Sequence, residues 1–406
     1  MTQMSNYHTL GVRRIINCFE TYTLLGGAIL PEEVRQAMEE ADKSYAWIWD
    51  LNERAGRKIA ELTGADAAFV TPGAFAALAM SAAVCMVGRD PEKMRQLPDT
   101  NGMKNEFIIQ RCLRDFQYDR SMTVAGGKLI EVGDEQSGCT SEQIEAAIGE
   151  KTAALHYFVH GVTGNFASEN CNIVPLEEVL NMGRRHNLPV LVDAAFQCYP
   201  LDGLSKYAAM GADAVAYSSK YFGGPNTAGL LLGKKELVES VALHSFIGQE
   251  GGPEGKEAVR GWDLRRYSSV FRGYKQDRSS IMGAVAALER HLHRMKDPEK
   301  ALEPARRRID VLVGTLTDVP NVKLTVFDSR DRVDPLQIGL QITLMNRTAK
   351  DASDVVTELL NGDPEIWLGS SENTLIINAT SFRGLDLFRD GDEEIIADRL
   401  KCILGR

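Results

Sequence analysis

Ala214-Val215-Ala216-Tyr217-Ser218-Ser219-Lys220-Tyr221-Phe222-Gly223-Gly224-Pro225 carries an apolar strand into a lysine and a glycine turn, and the apolar run Gly229-Leu230-Leu231-Leu232 follows. A lone lysine is ordinarily a solvated charge. One set between hydroxyls and a Gly-Gly-Pro turn at a strand end is placed to point into a cleft, where desolvation favours the neutral amine that condenses with an aldehyde. Twenty-seven residues upstream of Lys220, Val192-Asp193-Ala194-Ala195 ends another apolar strand on a carboxylate. Ligands of open α/β sheets bind at the carboxyl ends of the strands. By itself Asp193 reads equally as a helix cap or a loop charge; the pairing with Lys220 gives it a chemical meaning.

A third piece lies further upstream. Ala67 to Gly88 is an uncharged run of 22 residues, long enough for a membrane span. Thr71-Pro72-Gly73 breaks it after a short strand, and the Ala-rich remainder suits a buried helix. Free N–H groups at that helix start, with Thr71, Gly73 and Ala74, make an anion site suited to phosphate. The segment lacks the GKS or GKT of a P-loop and the GxGxxG of a dinucleotide fold. An anion-binding helix start, a strand-end Asp and a strand-end Lys together match what pyridoxal phosphate requires: a phosphate anchor, a partner for the pyridine nitrogen and an amine for the aldehyde.

Around these pieces, short apolar strands at Phe107–Ile109, Lys128–Val132, Ala153–Phe158 and Pro189–Val192 alternate with amphipathic helices such as 141–150 and 176–185. This predicts an α/β domain with a mostly parallel, buried sheet. From Ala284 onward a long helix leads to strands near 322–326, 337–343 and 375–379 with flanking helices, a small α+β arrangement. The expected division is therefore an N-terminal segment 1–45, a large cofactor domain 46–283 and a small C-terminal domain 284–406. The 406 residues, 44% hydrophobic and 25% charged, suit two or three globular domains. With 46 Lys and Arg against 56 Asp and Glu, the formal charge of −10 disfavours a nucleic-acid partner. Seven scattered cysteines without a CxxC pair argue against disulfides and zinc, and the start has no signal-like apolar run, so a cytoplasmic location is expected. No metal and no membrane are expected.

The chain resembles the fold-type-I pyridoxal-phosphate enzymes and, within them, the selenocysteine-synthase-like family that includes L-seryl-tRNA selenium transferase and D-glucosaminate-6-phosphate ammonia-lyase. The matching pieces are Leu24-Leu25-Gly26-Gly27, Ile59 to Gly64, Val70 to Ala74, Leu97 to Thr100, Asn105 to Arg111, Val192 to Ala195, and Ser218-Ser219-Lys220 with Gly223-Gly224-Pro225. They run in family order over roughly residues 15 to 290, with the ammonia-lyase subgroup closer through the Leu97 and Asn105 segments. The resemblance implies an aspartate-aminotransferase-like large domain. It implies that Lys220 forms the Schiff base and moves the α-proton, and that Asp193 pairs with the pyridine nitrogen. Gly73 and Ala74 would offer N–H groups, and Ser218 a hydroxyl, to the phosphate; Gln197 would lie near the phenolic oxygen. Arg272, Lys275 and Arg278 resemble the family's Arg-x-x-Lys-x-x-Lys, expected to reach phosphates near a subunit boundary. On a helix that spacing gives one basic face.

Several features depart from the family pattern. Relatives carry a ring-stacking histidine shortly after the Gln-Arg pair, where this chain reads Arg111-Cys112-Leu113-Arg114; Gln249 to Trp262 is a Gly-rich insertion, and Trp47-Ile48-Trp49 adds bulk near the expected entrance. His156 and His160 flank a strand end, which allows either a cofactor-side or substrate-side role. His291 and His293 are expected at the surface, and Arg383 is a candidate clamp for a substrate carboxylate. The predicted activity is a cytoplasmic pyridoxal-phosphate lyase that abstracts the α-proton of an amino acid or amino-sugar acid and eliminates a β-substituent to give a keto acid and ammonia. β-Replacement, transamination, racemisation and aldol cleavage, or cofactor binding without catalysis, are the alternatives. Homodimers or larger homo-oligomers are expected, because this fold commonly shares active sites between subunits.

Overall fold

The computed structural model describes residues 7–159, 171–245, 258–259, 262–263, 269–328, 336–345 and 351–405, with 258–259 and 262–263 as backbone alone. The chain forms two compact units, Leu30–His291 and Met1–Ile29 with Leu292–Arg406. The sequence division set residues 1–45 apart and ended the large domain at 283. In the structure Ile15–Cys18 instead pairs in parallel with Glu365–Leu368, tying the start of the chain to its C-terminal third.

The larger unit carries a seven-stranded sheet in the spatial order Ala67–Thr71, Gly229–Gly233, Ala214–Ser218, Val190–Asp193, Thr152–Phe158, Glu106–Gln110, Lys128–Val132. All neighbours pair in parallel except Gly229–Gly233, which runs antiparallel to both flanking strands. Its strands are nearly continuous runs of Ala, Val, Leu and Ile because helices cover the sheet.

The uncharged run becomes the strand Ala67–Thr71, a turn, and the helix Ala74–Val87. That helix is apolar all round because it is buried all round: Ala77, Ala79, Met80, Ala82 and Ala83 expose nothing. Gly73 at φ 91° starts it and Gly88 at φ 58° ends it, both in the left-handed half of backbone space open to glycine. Among the described residues no helix is long and apolar enough to cross a membrane. Ala67–Thr71 is an edge strand, and the helix Ile48–Thr63 covers it closely. Asn52 on that helix is buried and pairs with both the Val70 N–H and C=O at 3.0 Å, occupying backbone groups that an edge leaves open.

The smaller unit holds a five-stranded sheet in the order Ile15–Cys18, Glu365–Ser371, Thr374–Asn378, Ile338–Leu344, Val322–Asp328, antiparallel apart from its first pair. Helices Pro298–Leu316, Ala352–Leu360 and Asp392–Leu404 belong to the same unit, an α+β arrangement.

Candidate functional site

Strand register brings the predicted residues to one edge of the large sheet. Thr71 and Ser218 both sit opposite Gly229, Ala216 opposite Asp193, and Asp193 opposite Phe158. The Ser218 N–H donates to Ala195 O at 2.8 Å, joining the loop after Asp193 to the strand end before Lys220. The phosphate turn, the carboxylate and the amine therefore converge across four adjacent strands.

Lys220 lies in a short 3-10 turn, Ser219–Phe222, that closes on Gly223 at φ 87°. Its side chain is 8% exposed, with Nζ 4.7 Å from the centre of the Tyr221 ring. Ser219 Oγ reaches Pro225 O at 2.5 Å and Ala228 O at 2.9 Å, which holds the Gly-Gly-Pro turn against the lysine segment.

At the phosphate turn, Thr71 Oγ1 donates to Gly73 O at 2.9 Å, and no side chain caps the start of Ala74–Val87. Gly229 lies against this turn so tightly that a Cβ there would sit 2.5 Å from Gly73 C and 2.6 Å from Ala74 N. Asp193 is buried and accepts the Ala195 N–H at 3.0 Å. Burial pushes its carboxyl up to about 6, against the pull of His156 and the Ala195 N–H. Gln197 is buried as well, and its Nε2 finds no hydrogen-bond partner among the described residues. An orphaned donor in the loop after Asp193, a buried carboxylate, a buried lysine and a helix start without a side-chain cap are the kinds of group that the phenolic oxygen, pyridine nitrogen, aldehyde and phosphate of pyridoxal phosphate require.

The basic triplet does not form one helical face. Arg272 lies in a 3-10 turn, Val270–Gly273, Lys275 in the link after it, and Arg278 at the first position of the helix Arg278–Arg294. Three different backbone settings break the spacing that a single helix would impose. Arg278 turns to the end of the helix Glu32–Asp42, with Nε donating to Ala41 O at 3.2 Å and the guanidinium 3.8 Å from Asp42 and over the Tyr45 ring. Between them stands a residue that the motif passed over: Gln276 donates to Thr71 O at 2.8 Å, so this segment passes the phosphate turn.

His291 corrects a second expectation. It is 1% exposed and its Nε2 lies 2.8 Å from Cys198 O, because the helix that carries it packs inward there; His293, two residues on, is exposed. Arg383 is buried in the smaller unit, and its charge acts on Glu20. His160 and most of the Gly-rich insertion lie outside the described residues. Trp47 and Trp49 stack at 6.4 Å, Trp47 half-exposed.

His156, Asp119 and Arg114 were not read together from the sequence. The signal available was a histidine inside an otherwise apolar strand, and the structure packs it 3.6 Å from the Asp119 carboxylate.

The family model for L-seryl-tRNA selenium transferase (SelA) matches residues 18–247, more than half of the chain. The chain belongs to this family. A 5'-C-glycyluridine monooxygenase-decarboxylase of Streptomyces is 27% identical over 404 residues, covering 96% of this chain and 90% of the relative. The D-glucosaminate-6-phosphate ammonia lyase of Salmonella typhimurium is also 27% identical, over 89% of this chain and 88% of its own length. An L-seryl-tRNA(Sec) selenium transferase of Geotalea daltonii matches at 27% over 60% of this chain and 54% of its own. Among solved structures, a D-glucosaminate-6-phosphate ammonia-lyase superposes with a TM-score of 0.79 at 24% identity, covering 100% of this chain and 99% of that one. The cysteine desulfurase CsdA from Escherichia coli gives 0.51 at 17%, over 96% and 94%. These likenesses establish fold type I. As a SelA-family member the chain is a pyridoxal-phosphate-dependent enzyme of lyase or transferase type.

Proposed function

We propose that the chain binds pyridoxal phosphate at the carboxyl edge of its large sheet and uses it to eliminate a β-substituent from an amino acid or amino-sugar acid. The observation that carries this is the convergence of Lys220, Asp193 and the uncapped start of Ala74–Val87 across strands in direct register. When bound, the cofactor supplies an electron sink that makes a proton on the substrate's α-carbon removable. Lys220 would supply the amine for its aldehyde and, at Nζ, the base that takes the substrate's α-proton. Asp193 holds negative charge at the pyridine nitrogen. The first N–H groups of the helix, with Thr71 and Ser218, hold the phosphate. Gln197 Nε2 donates to the phenolic oxygen, and Arg272 is assigned to the phosphate side. Loss of the β-substituent leaves an enamine that water converts to a keto acid and ammonia.

For Lys275 and His160 we propose substrate-facing roles; Arg278 is engaged by Ala41 and Asp42, and Arg383 is buried in the smaller unit, so neither is assigned to the substrate. The chain-length similarity to a monooxygenase-decarboxylase favours a second reading, in which the same site opens a nucleoside-linked amino acid to oxygen and releases carbon dioxide. The protein works as a homodimer or larger homo-oligomer. Among the described residues, seven of the fifteen exposed large apolar side chains fall between Tyr7 and Ile29, a concentration suited to contact with a second copy.

The test is the absorbance spectrum of the purified protein mixed with pyridoxal phosphate. A visible band that borohydride removes is expected from the wild type and not from Lys220→Ala; a protein that never takes up the cofactor overturns the proposal. Amino acids and phosphorylated amino sugars are then screened for keto acid and ammonia. Oxygen consumption with carbon dioxide release in their place selects the second reading.

A further inference from the structure

Asp193 does not stand alone in its pocket. His156 is 3% exposed on the neighbouring strand, two residues before Phe158, the register partner of Asp193, so both side chains lie on the same face of the sheet. Its Nδ1 lies 3.2 Å from Leu191 O, an acceptor, which makes Nδ1 the protonated nitrogen. Its Nε2 faces Asp119 Oδ1 at 3.6 Å. Asp119 is itself 2% exposed and fixed from the far side: Arg114 Nε donates to its Oδ2 at 2.6 Å and the Asp115 N–H at 2.9 Å. Arg114 also pairs with Glu131, which lies 3.9 Å from Arg111. Beyond His156 the charges alternate in sign from Asp119 to Arg114, Glu131 and Arg111, and Asp119 and Asp115 act on Asp193 as anions. The segment that supplies Arg114, Asp115 and Asp119 follows Arg111-Cys112-Leu113, where the chain departs from its family's pattern.

We infer that His156 is a positioning residue: Leu191 O and the Arg114-clamped Asp119 carboxylate fix its ring on the face it shares with Asp193, where its pull on that carboxylate favours the ionised form that the pyridine nitrogen needs. Leu191 O fixes the ring and its tautomer. Asp119 holds the Nε2 edge of the ring, and Arg114 balances the negative charge that Asp119 would otherwise turn on Asp193. The inference rests on the reading of Asp193 given above, and it extends that reading to what sets the charge of this group.

The experiment follows Asp193 in the apoprotein by carbon NMR of labelled aspartate, assigned with Asp193→Asn. The wild-type midpoint is expected near pH 6. In His156→Gln it is expected to rise by about one pH unit, since the pull of His156 on the Asp193 carboxylate is lost. The pH at which pyridoxal phosphate uptake is half-maximal rises by the same interval. Circular dichroism and melting show whether the variant is folded; His156→Asn, which retains a donor toward Leu191 O, replaces it if it is not. A folded variant with an unmoved Asp193 midpoint overturns the inference, because a merely structural histidine would change stability and leave the midpoint in place. A wild type that takes up no cofactor removes the proposed function instead, and the apoprotein midpoint still decides the role of His156.

Discussion

Asp193 is held at a cost in stability that fits the pairing with the pyridine nitrogen proposed for it. An unfolded aspartate titrates near 3.8, whereas burial pushes the folded group up to about 6. Between these values the folded chain keeps a proton that the unfolded chain has released, so stability falls as pH rises from about 4 to 6 and the penalty stays constant above that. Its size is about 3 kcal/mol at most. Apo Asp193→Asn carries no charge, and its amide oxygen can still accept the Ala195 N–H. It is therefore expected to melt several degrees above the wild type at pH 7.5, with the gap closing toward pH 4. Equal gaps at both pH values in calorimetry would show that the buried charge is not the cause. The same variant is expected to lose cofactor affinity, a trade of function for stability common at active sites.

Elements meet at the turn after Thr71, and little room for added bulk remains there. Gly229 stands in the antiparallel strand between Ala67–Thr71 and Ala214–Ser218, and a Cβ at this position would press on Gly73 C, Ala74 N and Tyr217 O, all backbone. Backbone cannot swing aside as a long side chain can. Gly229→Ala is expected to destabilise the chain by about 1 to 3 kcal/mol and to impair pyridoxal phosphate uptake, measured by urea unfolding and spectral titration. Gly149→Ala, where a Cβ meets nothing within 4 Å, is the control. His244 makes a contrasting prediction at a helix end. Its Nε2 lies 2.8 Å from Gly88 O, and burial lowers it to about 4. Here the unfolded chain gains the proton first, so stability falls as pH drops from 6.5 to 4. His244→Gln is expected to flatten that part of the acid-unfolding curve; an unchanged acid limb would place the sensitivity elsewhere.

For the whole molecule, the exposed apolar side chains between Tyr7 and Ile29 carry the expectation of a dimer or multiple of dimers. Light scattering on the cofactor-loaded protein measures it, and a fully active monomer at assay concentration contradicts it. Ile29→Glu, placing a charge on a half-exposed apolar position of that stretch, is expected to shift the equilibrium toward monomer with little change in the melting of the monomer itself.

Local chemistry made much of this legible. Lys220 and Asp193 end strands whose apolar runs are unmistakable, and Thr71-Pro72-Gly73 breaks a run that would otherwise pass for a membrane span, because a strand, a turn and a buried helix each leave a signature within a few residues. Charge pairing over distance leaves none. Asn52 closing an edge strand, Gln276 on Thr71 O, His291 turned inward and His156 facing Asp119 all depend on residues 18 to 205 positions apart in the chain. The basic triplet shows the converse: three, three and six describe a helix only if the backbone is one there, and a 3-10 turn and a link intervene. The sequence by itself determined the α/β class and the cofactor chemistry, through contiguous patterns. Only the tertiary structure decided which buried charges face one another, since burial and sheet register, not spacing, bring them within reach.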